Sequence, residues 1–323
     1  MKRIAVLTSG GDSPGMNAAI RAVVRAGVYH GIEVLGVYRG YSGLLEGDFV
    51  ELEVRSVSKI LGRGGTILKS ARCAEFRTVE GRAKAAEQLR SNDIDALVVI
   101  GGDGTFTGAK FLCEEHDIPV IGLPGTIDND LAGTDFTIGF DTAINTVVEA
   151  VDKIRDTANS HNRLFFVEVM GRDSGFIALN SGIATGAIAI MTPETDLDAE
   201  DLVGILNKAE SNRKTSSIVI VAEENKFGGA YELSKQVDKL TDKYEARITV
   251  LGHIQRGGSP SCLDRVLASR LGVEAVESLL KGKKNCMVGV INDEVVHTEF
   301  SKALNNKVET LKDEVRLAQI LSI

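Results

Sequence analysis

The stretch IDALVVIGGDGTFTGAKFL, Ile94–Leu112, decides how the rest of the chain is read. Ala96 to Ile100 is an unbroken apolar run, the pattern of a short strand buried on both faces. It ends in GGDGT, three glycines around one carboxylate, which punctuates the strand with a turn. Ala109, Phe111 and Leu112 then mark a helix. Strand, glycine-rich turn, helix is the unit of a parallel α/β sheet.

The same unit recurs on either side. RIAVLTS reads as a strand, GGDSPG as its turn, and Ile20, Val23, Val24 and Val28 as one face of the following helix. IEVLGVY and IPVIGL are further strands, and a long helix carries Ile144, Val147, Val148, Val151 and Ile154. Beyond it, RLFFVEVMG, AIAIMTP, SIVIVAEE, RITVLGH and MVGVI are strand candidates. Helices are expected at Ser174–Thr185, Ala199–Glu210, Tyr231–Lys243 and Leu263–Leu280. The fold class is α/β, with doubly wound, mostly parallel sheets. A chain of 323 residues suggests about two domains, with a boundary near residue 140 set by fold logic, since no Pro/Ser-rich linker marks it.

Composition narrows the function. Hydrophobic residues make up 43% and charged residues 25%, ordinary globular values, while the 34 glycines are more than average and only 5 prolines argue against a disordered or linker-rich chain. A net charge of −8 disfavours a general nucleic-acid or anionic-membrane surface, so an anionic ligand would need locally gathered arginines. Cys73, Cys113, Cys262 and Cys286 are scattered, without CxxC or metal spacing, and read as reduced thiols. The apolar run in MKRIAVLTSGG is too short for a signal peptide, and no run approaches the roughly 18 residues of a membrane span. A cytoplasmic protein is expected.

In doubly wound sheets ligands bind beyond the carboxyl ends of the strands. GGDSPG, GGDGT, GTIDND, EVMGRDSG, AEE and GHIQRGG all fall there. GGDSPG has P-loop spacing, but Met16 stands where that motif needs lysine. It also fits a G-x-S-x-G nucleophile elbow, whose oxyanion hole needs the N–H after the serine; Pro14 has none. A serine hydrolase is therefore disfavoured. GGDGT suits close backbone approach to a nucleotide phosphate, with Asp103 facing its Mg²⁺, because Mg²⁺ takes one or two carboxylates plus phosphate oxygens. A capped turn is the plainer alternative for both loops. GTIDND places Asp128 and Asp130 two residues apart; in an extended loop they would point the same way and raise each other's pKa. One carboxylate could then accept the proton of an attacking hydroxyl in phosphoryl transfer, while Asp141 is better placed to cap the next helix. Arg163, Arg172, Arg247 and Arg256 at strand ends, with His253, suit a phosphate-gripping cluster.

Together these segments resemble the bacterial ATP-dependent 6-phosphofructokinases. LTSGGDSPGMNAAIR, VVIGGDGT, GLPGTIDND, VEVMGR and VLGHIQRGGSP occur in that family's order, over nearly the whole chain. The resemblance implies two similar lobes, 1–139 plus 256–305 for ATP and 140–255 plus 306–323 for fructose 6-phosphate, with the substrate cleft between them and a homotetrameric assembly. It implies ATP contacts at Gly11, Arg72, Cys73, Gly102, Asp103, Gly104 and Thr105, with Asp103 at the Mg²⁺ position. Asp128 matches the proton acceptor for the sugar's 1-hydroxyl, and Gly11, Arg72, Thr126 and Arg172 match its catalytic neighbours. Ile127, Met170, Gly171, Glu223, His253, Ile254, Gln255 and Arg256 match sugar-phosphate contacts. Arg163 and Arg247 match arginines supplied by a neighbouring subunit.

Members of the family that use pyrophosphate usually carry Asp where this chain has Gly104 and Lys where it has Gly125, so ATP is expected as the donor. A pyrophosphate-dependent enzyme, another GGDGT kinase acting on NAD or a lipid, and a non-catalytic nucleotide sensor are the rivals. The effector site, which in the family takes ADP or phosphoenolpyruvate, is incomplete. Arg21, Arg25, Arg155 and Lys214 match it, as do Gly186, Ala187 and Asn212. Ile188, however, replaces a metal-facing Glu, Thr215 and Ser216 replace Lys and His, and Val54 replaces an Arg. Isoleucine cannot hold a metal ion, so blunted allosteric control is expected.

Overall fold

A computed structural model describes residues 1–161, 163–195, 197–211, 217–305 and 312–321. The chain enters as β1 (Arg3–Thr8), α1 (Met16–Tyr29), β2 (Glu33–Val37), α2 (Gly40–Glu46), β3 (Phe49–Glu51), α3 (Val79–Ser91), β4 (Ala96–Gly101), α4 (Asp103–His116) and β5 (Val120–Pro124). It continues through α5 (Phe140–His161), β6 (Leu164–Val169), α6 (Phe176–Thr185), β7 (Ala189–Met191), α7 (Ala199–Ser211), β8 (Ser217–Ala222), α8 (Ala230–Leu240) and β9 (Ala246–Val250). It returns as α9 (Cys262–Leu280), β10 (Cys286–Ile291), β11 (Glu294–Glu299), α10 (Phe300–Ala303) and α11 (Lys312–Leu321).

These elements form two compact units. One comprises Met1–Ile127, Leu131–Thr142 and Arg256–Asn306; the other comprises Asp128–Asp130, Ala143–Gln255 and Lys307–Ile323. The first unit is built on a seven-stranded sheet in the order β11-β10-β5-β4-β1-β2-β3. Its inner pairs are parallel, while β2–β3 and β10–β11 are antiparallel.

Side chains alternate across each strand, and that alternation builds two separate cores. Ile4, Val6, Val98 and Ile100 pack towards α1 and α9. Ala5, Leu7, Leu97 and Val99 pack with α2, α3 and α4. Both faces of the central strands are thus covered, which is why β4 reads as an unbroken apolar run. The second unit has a four-stranded, fully parallel sheet in the order β7-β8-β6-β9. One of its faces joins Leu164, Phe166, Val219 and Val221 to Leu202, Leu206, Leu233 and Val237 of α7 and α8.

Several expectations need adjustment. The edge strands β3 and β11 were not anticipated, although Asn292 and Asp293, both at positive φ, form a two-residue hairpin turn between paired Ile291 and Glu294. The strand expected at AIAIMTP is confined to Ala189–Met191, and α8 stops at Leu240. Val28 is exposed, so it lies off the buried face of α1. Phe111 also faces outward, with the Arg82 guanidinium 4.9 Å above its ring.

Arg82 is only 6% exposed. It reaches from α3 to Glu115 on α4 through two hydrogen bonds of 2.6 Å, and donates to the carbonyls of Phe76 and Arg77. The guanidinium beside Glu115 holds that carboxyl below the ordinary 4.5, and the hydrogen bond is the larger cause. Because the folded-state pKa is depressed, the pair's stabilisation is complete above 4.5 and disappears as pH falls through the folded value. Glu115→Gln is expected to cost about 1–2 kcal/mol in urea unfolding at neutral pH. The gap from the parent should close on acidification below that range.

Candidate active site

Three turns meet in the first unit because β1, β4 and β5 are adjacent and parallel. Thr8 pairs with Ile100 and Gly101 with Pro124, so the strands end level with one another. The first turn runs from Ser9 to Gly15. Gly10 and Gly15 hold left-handed backbone, at φ 83° and 110°, which a Cβ would disfavour. No side chain caps α1, so the capped-turn alternative does not hold for this loop. Ser13 is fully buried, and its Oγ has no hydrogen-bond partner among the described residues. Burial removes the exposure that a nucleophile elbow requires.

Arg256 lies against this turn. Its Nη1 donates to Asp12 O at 3.2 Å, and a Cβ on Gly11 would come within 2.6 Å of the same nitrogen. A side chain at position 11 would displace the Arg256 guanidinium, the flexible end of that residue, from its place against the turn. The long loop before α3 closes from another side: Ser70 Oγ donates to Gly10 O at 2.7 Å, and Thr8 Oγ1 to Lys69 O at 2.9 Å. That loop carries exposed Arg72 and half-buried Cys73.

The second turn is GGDGT. Gly102 precedes α4, and Asp103 is its first residue. A carboxylate in a helix's first turn sits in a favourable field. Asp103 and Gly104 are exposed, and a Cβ on Gly104 would meet nothing within 4 Å. Thr105 is buried, and its Oγ1 lacks a hydrogen-bond partner among the described residues. Tyr41 OH donates to Thr105 O at 2.6 Å, and the Tyr41 ring stacks on Phe76 at 3.8 Å between centroids. Neither aromatic residue was anticipated, because nothing in local spacing connects residues 41 and 76 to a turn at 105.

The third turn leaves β5 at Gly125, whose N–H donates to Gly101 O at 3.0 Å. A Cβ on Gly125 would lie 2.9 Å from Ile100 Cγ2 and 3.2 Å from Met16 Cε, so the position is filled by its neighbours. Thr126 is buried and adjoins Gly102, and its carbonyl accepts a 2.6 Å bond from Thr137 Oγ1. Ile127 is fully buried. Asp128, Asn129 and Asp130 follow and belong to the second unit. The loop is not extended there: Asn129 holds φ 52°. The alternation used to aim both aspartates in one direction therefore fails.

In the second unit, Asp128 is 3% exposed, and its carbonyl accepts from Ser174 Oγ at 3.0 Å. Arg172 Nε lies 3.8 Å from Asp128 Oδ2. Arg172 holds φ 50° after Gly171 at 142°, a costly conformation for arginine. It is braced by Glu223 Oε1, which accepts from the backbone N–H of both Gly171 and Arg172, at 3.3 and 3.0 Å. Met170 N donates to Gln255 Oε1 at 3.2 Å, and fully buried Gln255 donates onward to Gly252 O. His253 and Ile254 are exposed on the short helical turn Gly252–Arg256. Parallel pairing of β6 with β8 and β9 aligns these three strand ends.

Arg163 and Arg247 do not join that group. They stand at the amino ends of β6 and β9, about 20 Å away by the length of a six-residue strand. There Glu245 bridges them, accepting from Arg163 Nε at 2.9 Å and pairing with Arg247 Nη2. Within the second unit, Arg163 and Arg247 are thus set apart from Arg172, while Arg256 belongs to the first unit.

The described effector-site positions fall in both units. Half-buried Arg21 and exposed Arg25 lie one helical turn apart on α1, and burial followed by the neighbouring Arg25 charge lowers the Arg21 pKa. Arg155 donates to Thr185 O, near Gly186 at the end of α6. Ala187 is buried, and Ile188 packs with Leu164, Phe166 and Leu202 in the core. Asn212, Lys214, Thr215 and Ser216 lie outside the described residues. Cys113 and Cys286 are buried, and burial raises both thiols, Cys113 to about 12.

Glycine turns at the ends of parallel strands, one with an acidic residue opening a helix, define a phosphate-handling α/β protein. The phosphofructokinase family model matches residues 3–279, and the chain belongs to that family. It is 54% identical over its full length to ATP-dependent 6-phosphofructokinase 2 of Bacteroides thetaiotaomicron, of which it covers 99%. It is 56% identical, with both chains fully covered, to ATP-dependent 6-phosphofructokinase of Bacillus pumilus. Phosphofructokinase from Saccharomyces cerevisiae superposes with a TM-score of 0.88 at 36% identity; this chain is fully covered but spans only 48% of the yeast chain. A pyrophosphate-dependent phosphofructokinase from Marinobacter aquaeolei shares the fold, with a TM-score of 0.86 at 23% identity over 99% of this chain and 91% of its own.

The two unusual glycines should separate in stability. Gly125→Ala is expected to cost about 1–3 kcal/mol by overpacking. Gly104→Ala, in open space, should stay within about 0.5 kcal/mol of the parent or gain slightly. Urea unfolding of both variants checks this.

Proposed function

We propose that the chain transfers the γ-phosphoryl group of ATP to the 1-hydroxyl of fructose 6-phosphate, the glycolytic step that yields fructose 1,6-bisphosphate. The observation that carries this reading is a buried carboxylate, Asp128, beside a braced arginine, Arg172, immediately after a glycine turn. Full-length relatives named as ATP-dependent 6-phosphofructokinases support it.

In this reading the first unit holds ATP and the second holds the sugar phosphate. Gly11, Gly102, Gly104 and Thr105 border the phosphate path, where backbone N–H groups and the start of α4 favour negative charge. Arg72 and Cys73 approach from the loop before α3. Asp103 is the carboxylate suited to Mg²⁺: it is exposed, carries a hard oxygen donor, and belongs to no group of three ligating side chains among the described residues. Such a site fits an ion that takes its remaining oxygens from phosphate and water. The bound ion would neutralise developing phosphate charge.

Asp128 accepts the proton of the attacking hydroxyl, Thr126 and Arg172 steady the transferring group, and Met170, Gly171, Glu223, His253 and Arg256 orient the sugar phosphate. Arg163 and Arg247 stand a strand length away from Arg172 in the second unit, which supports their serving the site of a neighbouring copy in a homotetramer. Gly125 has no space for the lysine of pyrophosphate-using enzymes, which favours ATP as donor. Ile188 in the core favours weak control by ADP or phosphoenolpyruvate. No helix among the described residues is long and apolar enough to cross a membrane, and this reading assigns the reaction to the cytoplasm.

A coupled assay with fructose 6-phosphate tests the assignment, with pyrophosphate as the control donor. Asp128→Asn should lower turnover by about 10²–10⁴-fold while the KM for ATP stays near the parent value; unchanged turnover sinks the role of Asp128. Titration with phosphoenolpyruvate should inhibit only weakly, and strong inhibition at sub-millimolar levels contradicts the effector reading.

A further inference from the structure

Asp264 is the third residue of α9 and is completely buried. A carboxylate in that position must be compensated by donors, and three are in place. Oδ1 accepts from Gly139 N at 2.7 Å; Oδ2 accepts from Thr142 N at 2.8 Å and from Thr142 Oγ1 at 2.5 Å. Gly139 and Thr142 flank the start of α5, so a side chain from α9 satisfies N–H groups at the start of another helix. Thr142 returns the contact: its Oγ1 accepts from Ser261 N at 2.9 Å, and Ser261 Oγ accepts from Asp264 N at 3.2 Å. The two helix starts are interlocked through one carboxylate and one hydroxyl.

Arg256 precedes Ser261, the near edge of this lock, by only five positions. The segment between them has its own fastenings. Arg265 donates from Nε to Pro260 O at 2.7 Å and from Nη2 to Ser259 Oγ at 2.8 Å, and Ser259 Oγ donates to Gly62 O at 2.9 Å. Gly15 of the first turn also faces Asp264, where a Cβ would lie 3.6 Å from the Asp264 Cβ. At the far end of the segment, Arg256 lies across Gly11 and Asp12.

We propose that Asp264 is a positioning residue for phosphoryl transfer: by locking the start of α9 to Gly139 and Thr142, it sets Arg256 against the Gly11–Asp12 turn. The proposal rests on the reading that Arg256 recognises the sugar phosphate. Arginine carries several rotatable bonds, and holding its base in one place reduces the freedom lost when it grips a phosphate. Loss of the lock therefore weakens acceptor recognition and leaves donor recognition intact.

Steady-state kinetics on the full-length protein test this with Asp264→Asn, Arg256→Ala, the double variant, and Thr142→Val as a milder break of the same lock. Asp264→Asn should raise the KM for fructose 6-phosphate about fivefold, a coupling within the range for residues sharing a network, with the KM for ATP unchanged. The effect should vanish when Arg256 is already alanine. An equal effect in both backgrounds, or a loss of thermal stability with unchanged KM, overturns the proposal alone. A normal fructose 6-phosphate KM in Arg256→Ala overturns the role of Arg256 and the proposal with it. If Asp264→Asn does not fold, Thr142→Val takes its place in both backgrounds, and the same outcomes support or overturn the proposal.

Discussion

Parallel pairing of β4 with β1 on one side and β5 on the other is the constraint on which the first unit depends. Strands that run the same way end on the same side, and their register puts Thr8, Ile100 and Leu123 at nearly one level. Three loops distant in sequence then emerge together without any side chain having to draw them in. The sheet contributes the position, and the glycines permit the approach. The second unit repeats the principle with β8, β6 and β9, where Glu223, the Met170–Arg172 turn and the Gly252–Arg256 turn emerge together.

Precision comes from less regular features. Arg172 holds a backbone conformation that arginine seldom adopts, and Glu223 stabilises it with a single oxygen shared between two N–H groups. Asn129 bends the loop between its two aspartates, so those carboxylates are directed by a turn and not by a strand. Gly11 leaves the space that Arg256 occupies. At Arg172 the local cost is offset by a neighbour from another element.

How much of this was legible in the sequence follows from the physics of each part. The buried strands announced themselves because both faces of β4 and β6 are covered, giving apolar runs with glycine at their ends. The edge strands β3 and β11 did not, since a strand with one neighbour needs fewer apolar residues; for β11 the one local cue is Asn292–Asp293. The loop motifs carried Asp103, Asp128 and Arg172, since their residue types are unusual at strand ends. Tyr41, Glu245 and Asp264 were missed because their partners lie far away in sequence or their role depends on strand direction. For Asp264 the pattern Ser261-x-x-Asp264 signalled a helix start, but nothing local revealed that its carboxylate serves a second helix. The separation of Arg163 and Arg247 from Arg172 needed strand direction as well as strand identity.

Gly104 and Gly125, the two positions that the proposed reaction ties to donor choice, differ in how readily each can change. A side chain at 104 enters open space, so that substitution is accessible in a single step without repacking. A side chain at 125 meets Ile100 and Met16, which belong to the core beneath the turn. The packing of the chain itself therefore leaves room for a side chain at 104, whereas one at 125 waits on compensating changes in the core.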